Sequence, residues 1–369
     1  RKLVIVSNQL TDIQLDTTMV DNTINTYSRN RWDTLVEEFR GFGGTANNVI
    51  QREGDFGLGL FPIDPAKPVE LRVPDQLLVA TDNLELKDGG IVLKDESSYP
   101  KGFGDWYRQF QTNYSWGAEA KNSILAFETG LKSLPEDIKN YLKNLGLPID
   151  GRLPGTNEDE EIFQRFILTR QISKKGSLFL MPMIELVNHS PRLSSWGIDD
   201  RSIYIEGNYD NEILVRYSVS DSIRRFFQYG FICEEPTAFS MNLIINHKGE
   251  NIYIKGGINF KHLQNFKTST QDSNLFLERP MLGSQYQPRM PRTIFRNSCQ
   301  SITNIDSNEL FDQIHQINRL SLISLIRKLE KVDSFISEQL TEACLNQIDT
   351  LSVHYGSRSS EERRNQDAT

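Results

Sequence analysis

Ile184-Glu185-Leu186-Val187-Asn188-His189-Ser190 is the stretch on which the fold is decided. An apolar run ending on adjacent Asn and His sets two versatile hydrogen-bonding side chains at the end of a strand-like segment, an amide with paired donor and acceptor and a ring with two nitrogens. Tyr229-Gly230-Phe231 follows some forty residues later. Upstream lie Leu168-Thr169-Arg170-Gln171 and, farther back, Gly54-Asp55-Phe56-Gly57-Leu58-Gly59-Leu60-Phe61, then Leu71-Arg72-Val73-Pro74. Each string is weak alone. A lone Gly-x-Gly is most often a turn, and here the third glycine and following helix of a dinucleotide fingerprint are missing. Tyr229-Gly230 also reads as a helix end with Gly230 as its left-handed cap, His189 as a core histidine, and Arg170 as a cation favoured at a helix C-terminus. The information is in their order, spread over residues 54 to 236.

In that order the four segments resemble the SET fold, in the branch typified by the Rubisco large-subunit lysine methyltransferase and the actin-histidine methyltransferase. The resemblance implies an α+β architecture: short twisted β-sheets with a pseudoknot, a helical insert, and a C-terminal all-helical domain that docks a protein substrate. It implies S-adenosyl-L-methionine as cofactor. Phe56, Gly57, Leu58 and Gly59 would hold the cofactor's amino acid end, Arg170 its carboxylate, and Asn188 and His189 would bind it through the knot-like crossing. Tyr217 would lie near the cofactor, although a core tyrosine fits that strand position equally. Tyr229 would be the catalytic residue at the methyl-transfer channel, touching the cofactor as well. Ile172, Glu185 and Phe231 fall on the substrate side. Ile172 stands where the histidine-specific relative has Asn, and an apolar residue there suits a lysine channel.

Several positions depart from the family pattern. Glu185 replaces the usual Asp, Ser218 a Gly, and Ser222 an Asn. Arg224-Arg225 replace an acidic-aliphatic pair, and the short interval between the Asn-His pair and Tyr217 implies a reduced hairpin. These changes leave Tyr229 in place and keep two alternatives open: a non-catalytic SET-like interaction module, and a protein-histidine N-methyltransferase.

The chemistry implied by the resemblance explains why no carboxylate or histidine dyad stands out. A lysine must be neutral to attack a methyl group, and with a reference pKa near 10.4 this costs roughly 4.6 kcal/mol at pH 7. An apolar aromatic channel beside a sulfonium charge lowers that pKa and supplies part of the cost, leaving positioning as the main task.

Composition narrows the partners. The formal net charge of -8 disfavours broad phosphate binding and points to a protein substrate rather than nucleic acid; that a lysine side chain is the part acted on is what the resemblance implies. No apolar stretch approaches the roughly 18 residues needed to cross a bilayer. Cys233, Cys299 and Cys344 are odd in number and widely separated, against a disulfide framework or a zinc site, so a reducing cytoplasm and no metal are expected; a monomer is the further expectation.

Periodicity gives the organisation. The chain of 369 residues divides into an N-terminal extension and helix start (1–38), the first part of the SET core (39–104), a helical insert (105–160), the second part of the core with the motifs (161–260), a helical substrate-binding-like domain (261–356) and a disordered tail (357–369). Helices are predicted from Trp32 through Arg40, after the Ser133/Glu136 capping box, from Glu158 through Thr169, from Asp221 to Gln228, and after a second capping box, Asp306/Glu309. Strands are predicted over 58–63, 69–73, 178–187, 202–205, 213–217 and 241–254.

Overall fold

The structure, a computed structural model, describes residues 31–149, 157–257, 266–271, 274–300, 302 and 306–366. Residues 1–30, most of the expected N-terminal extension, lie outside it. Helix α1 (31–41) buries Trp32, Leu35, Val36 and Phe39, the helical face read from the sequence, and Gly43 follows at φ 99°. Short strands come next: β1 (Thr45–Asn47), β2 (Val49–Gly54), β3 (Gly57–Pro62), β4 (Val69–Pro74), β5 (Val79–Ala80), β6 (Leu84–Lys87) and β7 (Gly90–Leu93). The insert is helical: α2 (Phe103–Phe110), a π-helical turn (Gln111–Ser115), α3 (Ala118–Ser133) and α4 (Glu136–Asn144), then α5 (Glu158–Arg170). Ser133 and Glu136 do not form a capping box. Ser133 Oγ donates back to Gly130 O at 2.8 Å, and α4 starts at Pro135 with no side-chain cap, because a hydroxyl one turn from a carbonyl bonds it locally.

Strands then return as β8 (Ile172–Lys174), β9 (Ser177–Leu180), β10 (Asn188–His189), β11 (Gly197–Ile198), β12 (Ser202–Gly207) and β13 (Leu214–Val215), followed by α6 (Ser222–Tyr229). The strand expected over 178–187 stops at Leu180. Met183 takes φ 70°, a left-handed turn rare for a bulky residue, and a 3-10 turn at Ile184–Leu186 follows. Beyond α6 lie β14 (Thr237–Phe239), β15 (Leu243–His247), β16 (Glu250–Lys255), β17 (Lys267–Gln271), β18 (Asn274–Glu278), β19 (Met281–Ser284), and helices α7 (Met290–Ser298), α8 (Ser307–Leu329) and α9 (Phe335–Gln366).

Two domain expectations are corrected here. The unit 261–356 is not purely helical: β17 and β18 complete a sheet of order β15-β16-β18-β17, and β19 pairs with β14, so a boundary at 260 cuts a sheet. The alternating burial of Asn274–Glu278 is the strand signal. The segment expected to be disordered from residue 357 is helical as far as Gln366, because α9 runs on through it; once nucleated, a helix adds Glu, Arg and Gln residues at little cost. Among the described residues no helix is long and apolar enough to cross a membrane.

Among the described residues two large apolar clusters form the core, with a small third one at Phe239 and Met281. One joins α1, the sheet β1-β4-β12-β11, α2 and α5; the other joins α3, α4 and α6 to the C-terminal sheet and helices α7 to α9. The parallel pair β10/β13 sets Asn188 beside Leu214 and His189 beside Val215, and Ile213 N–H donates to Leu60 O at 2.8 Å. These bonds fasten the Asn-His segment to the glycine hairpin.

Candidate functional site

A cavity of about 650 Å³ is walled by the β2–β3 turn, the π-helical turn, the end of α5, the 184–188 segment and the end of α6. Of the sequence-designated residues, Phe56, Gly57, Leu58, Arg170, Glu185, Asn188, Tyr217, Tyr229 and Phe231 line it. Gly59, Ile172 and His189 do not. Ile172 is 8% exposed and packed in the first apolar cluster, so the side chain expected to face a lysine is instead part of the core.

The two glycines of the hairpin serve different ends. Gly54 pairs with Gly57 across the turn, and Gly57 has φ 84°, a conformation costly for any side chain. Gly59 is required by space: a Cβ there would fall on Glu212 Oε1 and 2.7 Å from Asn188 Nδ2. The close approach at Gly59 is therefore by protein side chains. Phe56 and Leu58 remain 62% and 44% exposed at the cavity rim, large apolar surface available to a ligand.

Arg170 ends α5, a helix started by the Asn157 cap and four acidic residues in its first turn. Its guanidinium stacks 4.0 Å from the Phe166 ring centroid one turn back and donates to Thr169 Oγ1 at 2.9 Å, while its Nε is buried without a partner. Opposite charge is supplied by Glu185. Gln111 Nε2 donates to Glu185 Oε1 at 2.7 Å and Ser115 Oγ donates to the same oxygen at 2.6 Å, so the widened π turn serves to aim both donors at one acceptor. Glu185 Oε2 is buried with no partner. Burial pushes the Glu185 carboxyl above its ordinary range, against the lowering effects of Ser115, Arg170 and Gln111. Both orphaned atoms are sealed from solvent, so Arg170 and Glu185 leave an unmet donor and an unmet acceptor just beneath the cavity surface.

The other wall is aromatic. Helix α6 is capped by Asp221, which accepts from Arg224 N at 2.8 Å, and ends where Gly230 turns left-handed at φ 81°. Tyr229 is thus both the last helical residue, as the bland reading holds, and a wall of the cavity. Its ring lies 5.2 Å from that of Tyr217 and 5.8 Å from Phe231; Tyr217 lies 5.0 Å from His189 and 6.0 Å from Trp196. Rings at these separations form a surface that favours cationic methyl groups. Burial raises the Tyr229 phenol above its usual range despite the Arg225 charge. Tyr217 is raised likewise, and its hydroxyl donates to Val187 O at 2.7 Å.

Behind this wall sits a closed polar node. Arg225 Nε bonds Glu235 Oε1 at 2.5 Å, His189 Nε2 approaches the same oxygen at 3.1 Å, and His189 Nδ1 accepts from Tyr217 N at 3.2 Å. That acceptor role places the ring proton on Nε2, and burial, outweighing Glu235, lowers the His189 pKa so that the ring is neutral. Cys233 completes a trio with His189 and Glu235 whose ligand atoms lie within 4.8 Å of one another. His189 and Glu235 are committed to each other and Glu235 to Arg225, and burial pushes the Cys233 thiol up to about 12. His189 accordingly shapes the site from the core and does not line it.

Gln111, Ser115, Trp196, Glu212, Arg225 and Glu235 were not read as functional from the sequence. Arg225 carried one signal, a cation within the apolar face Ile223, Phe226, Phe227 of α6. The others had none, since each is a polar residue whose partner is distant in the chain.

No protein-family model matches this sequence, and no curated protein matches it. The chain is similar to solved SET-domain structures. The SET domain of LSMT bound to lysine and AdoHcy aligns at 14% identity and a TM-score of 0.38, covering 90% of this chain and 91% of that one. Rubisco LSMT bound to AdoMet aligns at 14% identity and 0.38, covering 90% and 92%. At that level of agreement the functional reading rests on the cavity itself.

Proposed function

We propose that this protein is an S-adenosylmethionine-dependent protein-lysine N-methyltransferase with a SET core, acting on a non-histone protein. The observation that carries the reading is one cavity lined together by the aromatic residues Tyr217, Tyr229 and Phe231 and by Arg170, Glu185 and Asn188. The residues fit such a cofactor: Arg170 offers a cation to its carboxylate, Asn188 an amide to its amino group, and Phe56 and Leu58 apolar surface over it. When bound, S-adenosylmethionine supplies a methyl group on a sulfonium, and attack by a neutral amine forms the N–C bond as the S–C bond breaks. The Tyr229 ring walls the channel and its hydroxyl, un-ionised at neutral pH, orients the amine nitrogen. The aromatic wall excludes water and so favours the neutral amine. Glu185 and Phe231 lie where the substrate side chain enters. We place the enzyme in a reducing cytoplasm as a monomer, in keeping with free Cys233, Cys299 and Cys344.

Calorimetry with S-adenosylhomocysteine tests the foundation, and absence of binding at millimolar ligand ends the proposal. Tritiated cofactor with a demethylated lysate, followed by mass spectrometry of the labelled residues, tests the rest. Labelled lysine is the expected result. Labelled histidine replaces lysine as the target, and cofactor binding without label in any extract makes the chain an interaction module.

A further inference from the structure

We infer that Glu212 is the positioning residue that sets the Asn188 amide for the amino acid end of the cofactor, an inference that rests on the cofactor reading above. Asn188 Nδ2 donates to Leu58 O at 3.1 Å and to Glu212 Oε1 at 2.7 Å. Leu58 O is a backbone carbonyl and can only accept, so the amide nitrogen must face it and the amide cannot flip. With Nδ2 held between two acceptors, Oδ1 is the polar atom that Asn188 offers to the cavity it lines, and it has no partner among the described residues. A carbonyl oxygen on a cavity wall takes an N–H donor, and an ammonium is the strongest available.

The hairpin is built around this contact. Glycine stands on both sides of the turn where Glu212 arrives: a Cβ on Gly59 would fall on its Oε1, and one on Gly54 would lie 3.1 Å from its Oε2. Glu212 is itself held by the neighbouring Ile213 N–H, which donates to Leu60 O at 2.8 Å and ties the 212–213 backbone to β3. Part of what the glycine pattern does is therefore to admit a carboxylate that orients an amide. Glu212 does not line the cavity, so its effect on a ligand must pass through Asn188.

The probe pair that isolates this role is S-adenosylhomocysteine, which carries the amino acid end, and 5′-methylthioadenosine, which lacks it. Both are titrated by calorimetry into the purified chain and its variants. Glu212→Leu should weaken S-adenosylhomocysteine about tenfold or more, because the amide loses the shorter of its two anchors and is held by the 3.1 Å bond to Leu58 O alone, and leave methylthioadenosine within about threefold. Glu212→Gln should keep both probes within about threefold, since an amide oxygen accepts the same hydrogen from Asn188. Gly59→Ala, whose methyl falls on the carboxylate and 2.7 Å from Asn188 Nδ2 and so breaks their contact from the hairpin side, should reproduce the selective loss and serves if Glu212→Leu does not fold. The inference is overturned if Glu212→Leu and Gly59→Ala bind S-adenosylhomocysteine like the wild type, if they lose both probes equally, or if Glu212→Gln is as weak as Glu212→Leu. Failure of the wild type to bind either probe is a different result, which removes the cofactor reading and this inference with it.

Discussion

Glu185 and Glu235 are two carboxylates of one region with opposite surroundings. Glu235 is 1% exposed and shares one oxygen between the Arg225 guanidinium and the His189 ring; burial works against its charge, yet His189 and Arg225 hold its carboxyl below the ordinary range. Glu185 is held by two neutral donors, keeps one buried oxygen free, and is raised above that range by burial. The first is a closed circuit that fixes the Tyr229-Gly230-Phe231 turn against His189. The second is an open one, with an unsatisfied oxygen sealed beneath the cavity surface where burial favours the neutral carboxyl.

The largest effect expected from this contrast is at the closed node. Arg225→Leu restores an apolar residue to the apolar face of α6 but strands Glu235, and loss of about 3 to 5 kcal/mol of stability is expected from urea unfolding. A loss below about 1 kcal/mol would mean that Glu235 is not charged in the folded protein, and the contrast with Glu185 would vanish. At the aromatic wall, Tyr229→Phe keeps the ring and removes the hydroxyl. Turnover on the identified substrate should fall roughly 30- to 1,000-fold, about 2 to 4 kcal/mol, with S-adenosylhomocysteine affinity unchanged. Retention of full turnover breaks the assignment of Tyr229 as the catalytic residue.

The two carboxylates should also differ in the sign of their pH dependence. Glu235, depressed when folded, contributes stability that is present above the ordinary carboxylate pKa near 4.5 and is lost as pH falls through its lower folded value. Glu185, raised when folded, does the reverse: its contribution is present below 4.5 and is lost as pH rises through its higher folded value. Glu185→Gln should therefore change stability by less than about 1.5 kcal/mol at low pH, with the variant gaining on the wild type as pH climbs from 4.5 upward. Thermal unfolding of both proteins across that range reads the difference, and parallel curves would place Glu185 with ordinary surface carboxylates. The smallest effect is expected next door to Glu235, at Glu234, whose pairing with Arg192 at 3.6 Å leaves both side chains 69% exposed. Arg192→Ala should shift stability by no more than about 0.5 kcal/mol, and a larger shift would show that exposure does not separate these neighbouring glutamates.

What could be read without coordinates is what short segments decide among themselves. The Asp306 cap, the left-handed Gly230 and the strands about 60, 71 and 204 all depend on neighbours within a few positions, and each is found. The order of the motif segments likewise brought Phe56, Arg170, Asn188, Tyr217, Tyr229 and Phe231 to one cavity. Ser133 shows the limit of local reading, since a hydroxyl has two local partners and the pattern does not say which one wins. Ile172 shows it too: its position two residues past Arg170 was legible, but the direction of its side chain depended on how β8 packs.

The sequence by itself determined which segments are helix or strand, though not every end of them, and which carry polar groups suited to a site, because those signals rest on side-chain periodicity and on caps that close within a turn. Only the tertiary structure decided which groups are satisfied and which are left for a ligand. Glu212 meets Asn188 across 24 positions, Arg225 meets Glu235 across 10, and Gln111 and Ser115 meet Glu185 across 74 and 70. A polar side chain carries no mark of its partner in the sequence. Whether it ends as a closed pair such as Arg225–Glu235 or an open acceptor such as Glu185 Oε2 is settled by the path of the chain and the water it excludes.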